Sequence, residues 1–395
     1  MTYPIQCLGF KASGVAAGIK KTGVLDLGLI YTSEPAAVAG VFTRNQVQAA
    51  PVILSRQRLG AGSARAIIVN SGNANCCTGT EGLAHARQMT HEAAAALKLA
   101  ADEVMVASTG VIGAPLPIRT VQLAVPGLVD SLRADGFEDF ARAIMTTDTV
   151  PKLVVRRADI DGQTFSLVAA AKGAGMIRPD MATMLCFLCT DVGIETALLQ
   201  AALGKAVDRT LNRITIDGDT STNDTVLAMA NGSSGARIET MAQQQVFQAL
   251  LDEVLMEIAR RLVKDGEGVT KLVEIKVQGA ESESAALRIA ETVAHSPLVK
   301  TAFFGQDANW GRIMGAVGRA GVAIDPDSID IHFNQVQMVR SGRGCGPEAE
   351  EQVTAVMRQA EFSVTIDLHQ GHRTASMLTC DFSVDYVKIN ADYRS

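Results

Sequence analysis

Thr183 is the residue best placed for covalent chemistry. It follows a small residue, Ala182, at the end of the loop Lys172-Gly-Ala-Gly-Met-Ile-Arg-Pro-Asp-Met-Ala182, and precedes the apolar run Met184 to Leu188. An internal Thr hydroxyl is a weak nucleophile, because nothing adjacent removes its proton. Cutting the Ala182–Thr183 bond changes that. Thr183 then carries an α-amine of pKa about 8, within reach of its own Oγ, and the amine acts as base. A strand starting at the nucleophile would hold both groups rigidly. Taken alone, the Ala-Thr pair reads more simply as a buried strand after a surface loop.

Other reactive patterns are weaker. The six histidines are scattered, and none accompanies a Ser or Cys nucleophile motif, which argues against a Ser-His-Asp hydrolase. Cys186 and Cys189 form a C-x-x-C without a second Cys or His pair at zinc spacing. On a strand they point to opposite faces. The adjacent Cys76 and Cys77 cannot easily form an unstrained bridge. Asp217 to Asp224 is rich in carboxylates and hydroxyls but lacks EF-hand spacing, and reads as a hydrogen-bonded turn. Lys172-Gly-Ala-Gly175 lacks the Gly-Lys-Ser/Thr ending of a P-loop. The single Trp, Trp310, with Arg312 nearby, suits packing or the ordering of a loop.

Eight motifs in order carry a resemblance. They are Gly9-Phe-Lys-Ala-Ser-Gly14 with Gly18-Ile-Lys20, Asn70-Ser-Gly-Asn-Ala-Asn75, Ala107-Ser-Thr-Gly-Val-Ile-Gly113, Thr146-Thr-Asp-Thr-Val-Pro-Lys152, Asp217 to Asp224, Asp265-Gly-Glu-Gly268, Asn309-Trp-Gly-Arg312 and Ile389-Asn-Ala-Asp-Tyr-Arg-Ser395. With the loop before Thr183, the chain resembles, nearly end to end, the ornithine acetyltransferase family, the bifunctional glutamate N-acetyltransferases of arginine biosynthesis. The resemblance implies self-cleavage at Ala182–Thr183. It gives an α chain of residues 1–182 and a β chain of residues 183–395. Residues 183–279 would complete the catalytic region and 280–395 would form a C-terminal domain.

The same resemblance implies roles. Thr109 and Gly110, at the end of a predicted strand, match the family's oxyanion donors; spacing alone would make them an ordinary turn. Lys172 matches a substrate-binding Lys and suits an α-carboxylate. Thr149 matches a substrate-contacting Thr, with Thr147 an open alternative. Glu267, between Gly266 and Gly268, matches a substrate-contacting Glu and suits an ornithine amine. Asn390 and Ser395 match C-terminal contacts, which require the chain end to fold back over the site. Asp180 stands where the family often has Asn, and Thr374 to Cys380 departs from the usual stretch. Neither change removes a proposed catalytic group. No metal and no cofactor are implied; acetyl-CoA as a second acetyl donor stays open.

These residues need a scaffold. A chain of 395 residues suggests two or three domains. The 47% hydrophobic and 20% charged content suits a globular chain. A net charge of −6 argues against a nucleic-acid partner. No run reaches bilayer length, and Met1 to Gly14 shows no secretory signal. Seven irregularly spaced cysteines fit reduced thiols in a cytoplasm. Strands are expected at 66–69, 103–107, 165–171, 184–190, 272–277, 328–333, 362–368 and 378–389, and helices at 82–99, 194–212 and 241–264. The order lacks clean βαβ alternation, which favours an α+β type of α/β fold. The resemblance implies a four-layer α/β/β/α sandwich around an N-terminal Thr nucleophile, with a smaller C-terminal α+β domain.

The expected activity is acetyl transfer from N2-acetylornithine to glutamate through acetyl-Thr183, with ping-pong kinetics. A cytoplasmic oligomer of cleaved α/β heterodimers is implied by the resemblance. Two rivals are a Thr-nucleophile amidohydrolase or aminopeptidase, in which water is the acceptor, and an uncleaved binding protein.

Overall fold

The computed structural model describes residues 5–178 and 184–392. Asp180, Ala182, Thr183 and Ser395 therefore lie outside the described residues. The chain divides into two compact units, one built on residues up to Asn212 and on Asp219–Leu262, the other on Arg213–Gly218 and from Val263 onward.

The first unit carries the strands β1 (Phe10–Val15), β2 (Leu27–Phe42), β3 (Ser63–Asn73), β4 (Val104–Val111), β5 (Lys152–Ile160), β6 (Gln163–Lys172), β7 (Leu185–Thr190), β8 (Gly193–Ile194), β9 (Thr225–Ala230) and β10 (Arg237–Ile238). Its helices are α1 (Ala50–Arg58), α2 (Gly79–Leu97), α3 (Ile118–Asp130), α4 (Phe137–Ala143), α5 (Thr196–Arg209) and α6 (Met241–Lys264), the last running on into the second unit. Among the described residues, eight strands form one sheet in the order β4-β3-β2-β9-β7-β6-β5, with β1 added on β2; β8 and β10 pair separately.

The long β2 divides that sheet. Its first half pairs with β1 and β3, and its second half, from Ala37, pairs with β9; the ladder to β3 shifts register between Tyr31 and Ala36. One apolar cluster joins the two halves face to face. Ile67, Val69, Met105 and Ala107 on one side share it with Val168, Ala170, Phe187, Leu227 and Met229 on the other. Alternation along the strands turns Leu29, Ile68, Val104 and Val106 the opposite way, onto Met89 and Ala93 of α2 and Val121 and Val125 of α3. On the far side, Phe165 of β6 meets Phe247 of α6 with ring centroids 6.3 Å apart. The layers are helices, sheet half, sheet half, helices: the four-layer sandwich.

Pairing is mixed. β3 and β4 are parallel across α2, and β7 and β9 are parallel across α5, whereas β5, β6 and β7 are antiparallel. Two βαβ crossovers are thus embedded in an otherwise antiparallel order.

The second unit adds β11 (Leu272–Ala280), β12 (Asp330–Phe333), β13 (Val336–Arg340), β14 (Arg343–Gly344), β15 (Glu361–Asp367) and β16 (Arg373–Cys380), in the order β14-β13-β12-β15-β11-β16. Its helices are α7 (Glu283–Ala294), α8 (Pro297–Gly305), α9 (Trp310–Gly318), α10 (Pro347–Met357) and α11 (Val384–Asp392). Ile289 and Val293 of α7 and Ile313 and Val317 of α9 share a core with Val273, Ile275, Val364 and Ile366 of the sheet.

One expected element is corrected. The stretch 378–389 is not one strand: β16 ends at Cys380 and α11 begins at Val384. The apolar Val384, Tyr386, Val387 and Ile389 imitate a strand, but Ser383 decides otherwise, because its Oγ accepts the Tyr386 N–H at 3.1 Å and caps the helix start. Trp310 packs against the core of the second unit, as a packing role required.

Candidate active site

The ends of β3 and β4 supply the first part of the site. These parallel strands leave the apolar core at Asn70 and Ser108, whose side chains pair with each other, Ser108 Oγ donating to Asn70 Oδ1 at 2.6 Å. A step later β3 bulges at Gly72 and Asn73 opposite Gly110. Gly110 has φ +133, and a Cβ there would lie 2.3 Å from the Gly72 carbonyl carbon. Only glycine fits, and its backbone is held in a turned-out conformation at the strand end. Thr109 is buried beside it.

The end of β6 supplies the second part. Lys172 is buried, and its Nζ donates to Thr109 Oγ1 across 3.4 Å, which brings Thr109, Gly110 and Lys172 together. Asp148, between α4 and β5, organises the cations. Its Oδ1 accepts from Lys152 Nζ and from the Gly173 N–H, each at 2.6 Å, and its Oδ2 accepts the Thr146 N–H at 2.9 Å. Burial alone would raise its pKa. The charges of Lys172 and Lys152, the Lys152 hydrogen bond and the Gly173 N–H overcome burial and hold it at about 2. Asp148 is therefore ionised near neutrality. Lys20 is half-buried in the same region, its Nζ on the Met145 carbonyl at 2.8 Å. Burial lowers its pKa, with Lys172 acting the same way and Asp26 and Asp148 opposing. Lys20, Lys152 and Lys172 outnumber the carboxylates Asp26 and Asp148 beside them, which suits an anionic ligand group. On the same loop Thr149 is exposed and Thr147 half-buried.

The strand that follows Thr183 is the third part. Met184 is buried, its N–H on Asp224 Oδ1 at 3.0 Å, and β7 then runs between β6 and β9. The expected nucleophile and cleavage bond fall outside the described residues; Met184, the residue after them, leads straight into β7, whose first residue Leu185 pairs with Lys172.

In the second unit, Asn390 Nδ2 donates to Glu267 Oε2 at 2.8 Å, which places these two expected substrate contacts together. The link has a local cause. Gly268 has φ +67, and a Cβ there would meet the Tyr386 nitrogen at 2.4 Å. Ser383 Oγ joins the Gly268 carbonyl to the start of α11. Cys186 and Cys189 are buried free thiols. Burial pushes the Cys186 pKa to about 12 and raises that of Cys189 as well, so both behave as small core residues.

Sequence reasoning did not single out Asp148, Lys152, Lys20, Asn223 or Asp224. The first three lie inside quoted motifs, and the signal was a carboxylate among lysines. Asn223 and Asp224 were read only as part of a turn.

The ArgJ family model matches residues 11–395. The chain belongs to the ArgJ family. The arginine biosynthesis bifunctional protein ArgJ of Geobacter sulfurreducens is 50% identical over 389 residues, covering 98% of this chain and 99% of that protein. The protein of the same name from Methylococcus capsulatus is 47% identical over 390 residues, covering 98% of this chain and 95% of that one. Among solved structures, the arginine biosynthesis bifunctional protein argJ of Bacillus halodurans is 38% identical with a TM-score of 0.51, covering 52% of this chain and 98% of that chain. Among the described residues, no helix is long and apolar enough to cross a membrane.

Proposed function

We propose that this chain is a self-cleaving acyltransferase of arginine biosynthesis that moves an acetyl group from N2-acetylornithine to glutamate. The observation that carries the reading is the buried Lys172 bonded to Thr109, beside Gly110 where only glycine fits, and paired with Leu185, the second residue after Thr183. Family membership supplies the pathway.

The chain is cut at Ala182–Thr183 into fragments 1–182 and 183–395. The freed Thr183 amine takes the hydroxyl proton, and Oγ attacks the acetyl carbonyl. Thr109 and the Gly110 N–H donate to the tetrahedral oxyanion, each worth roughly 3 kcal/mol by the scale of other acyl-transfer sites. The intermediate expels the ornithine amine, which receives the proton from the Thr183 ammonium. The glutamate amine then attacks acetyl-Thr183, and N-acetylglutamate leaves. Lys172 holds the α-carboxylate of either substrate, Thr149 and Asn390 contact it, and Glu267 faces the ornithine amine. Ser395 belongs to the same set. The relatives' name, bifunctional, motivates acetyl-CoA as a second donor. A cytoplasmic oligomer of cleaved heterodimers completes the reading.

Intact mass spectrometry tests it. The purified protein should show both fragments, and N-acetylornithine without glutamate should add one acetyl group to the fragment that starts at Thr183. Added glutamate should remove the label as N-acetylglutamate. Thr183→Ala should remain one chain and be inactive. Release of free acetate instead would make the chain a hydrolase, and an uncut wild-type chain would exclude the mechanism.

A further inference from the structure

Two adjacent side chains ahead of β9 reach both parts of the proposed site, and the chemistry above uses neither. Asn223 is buried. Its Nδ2 donates to the Ser108 carbonyl at 2.8 Å and to the Ala74 carbonyl at 2.7 Å. The Ser108 carbonyl belongs to the peptide whose nitrogen is that of Thr109, so Asn223 sets the plane of that peptide. Asp224 does the equivalent one strand away. Its Oδ1 accepts the Met184 N–H at 3.0 Å, and the Thr225 N–H donates to the Met184 carbonyl at 3.2 Å. The carboxyl extends the parallel β7–β9 ladder, which starts at Leu185 opposite Thr225, by one step toward Thr183. The Asp224 carbonyl in turn accepts the Thr43 N–H at 3.0 Å, just past the end of β2.

Asp224 is 1% exposed, and its Oδ2 is buried with no hydrogen-bond partner among the described residues. An ionised carboxylate with one oxygen unsatisfied is costly in the interior; a carboxylic acid is much less so. Burial accordingly raises its pKa well above the carboxylate range, against the Met184 N–H, the charge of Lys172 and the Ser221 hydroxyl.

We infer that Asn223 and Asp224 are positioning residues that hold the Thr109 peptide and the nucleophile's strand at a fixed separation, and that Asp224 does so as a neutral carboxylic acid. Neutrality matters because an ionised carboxylate bound to the amide next to Thr183 would favour the ammonium form of its amine, which is no base. The inference rests on the reading of Thr183 as nucleophile.

Three variants of the full chain test it. Asp224→Ala removes the acceptor for Met184; kcat should fall about tenfold or more while KM changes less than about threefold, the pattern of lost transition-state geometry. Asp224→Asn keeps an acceptor oxygen, carries no charge, and should rescue most of that loss with the pH profile of kcat/KM unchanged. Asn223→Ala should also lower kcat rather than raise KM. A folded Asp224→Asn protein as impaired as Asp224→Ala, or with a shifted pH profile, overturns the inference, as does an Asp224→Ala protein as active as wild type. If Asp224→Ala fails to fold, Asp224→Asn against wild type decides alone. A wild-type chain that stays whole, or is acetylated elsewhere than Thr183, overturns the nucleophile reading and this inference with it. Wild type acetylated at Thr183, with variants that miss the pattern, overturns the inference only.

Discussion

Asp148 lies between the expected contacts Thr147 and Thr149 and feels the charge of Lys172, and the cation cluster depends on it. Both of its oxygens are occupied, by Lys152 and the Gly173 and Thr146 N–H groups, so it is bonded within that cluster. Asp148→Asn would leave buried cations without this counter-charge, a loss of about 3–5 kcal/mol. Urea unfolding at pH 7 would measure it, and a loss below about 1 kcal/mol would count against the pairing. The pH response has a definite sign. The folded pKa, about 2, lies below the ordinary 3.8, so this stabilisation is complete above pH 3.8 and is lost as pH falls toward 2. The span corresponds to about 2 kcal/mol, and wild type should lose it across that window while Asp148→Asn does not. Asp224 works in the opposite direction. Its folded pKa is raised, so its contribution is complete below the ordinary carboxylate range and declines as pH rises toward the folded value. Asp224→Asn should remove that decline, read as a flatter plot of unfolding free energy against pH above 4.

The elements around the site divide into those that periodicity reveals and those that need long-range pairing. The Met241–Lys264 helix was legible with its bounds because Phe247, Leu251, Leu255, Ile258 and Leu262 recur on one face, and all are buried. The buried strand before Asp191 was legible as an apolar run. The terminal Leu378–Ile389 stretch was misread because a local cap from Ser383 outweighed alternation. The bulge opposite Gly110 could not be read locally, since what forbids a side chain there is the Gly72 backbone, distant in sequence. Thr109 and Lys172 were legible only through motif resemblance; their meeting depends on how β4, β3, β2, β9, β7 and β6 run in one sheet. Asn223 and Asp224 escaped because their partners, Ser108, Ala74 and Met184, lie far away in sequence. The bulge gives an element-scale prediction. Gly110→Ala meets both a φ of +133 and the 2.3 Å approach, so β3 and β4 must part at their ends. A loss of about 1–3 kcal/mol is expected from strain and displaced backbone, with activity falling further than stability. Thermal unfolding and initial rates on the same preparation would check this, and an Ala variant of wild-type rate would contradict the demand for glycine.

The sheet crosses the expected cut. Strands β1 to β6 precede Ala182, and β7 and β9 follow Thr183, yet the order is β4-β3-β2-β9-β7-β6-β5. β9 lies against β2 from Ala37 to Phe42, and β7 lies against β6 from Leu167 to Lys172. Two strands of the second fragment are thus inserted between strands of the first. The core is shared in the same way: Phe140, before the cut, meets Phe187, after it, edge to face with centroids 5.4 Å apart. Cleavage removes one covalent link and leaves two full ladders and a common apolar layer intact. Fragments 1–182 and 183–395 should therefore co-elute on size exclusion at neutral pH, although a denaturing gel resolves them. They should separate only in denaturant, at the concentration where far-UV circular dichroism of the sheet is lost. Separation in native buffer after cleavage would mean that the cut chain does not keep this strand order. Co-elution through the whole pre-transition range would show that the β2–β9 and β6–β7 ladders and the shared apolar layer hold the fragments together, with Lys172 still paired to Leu185.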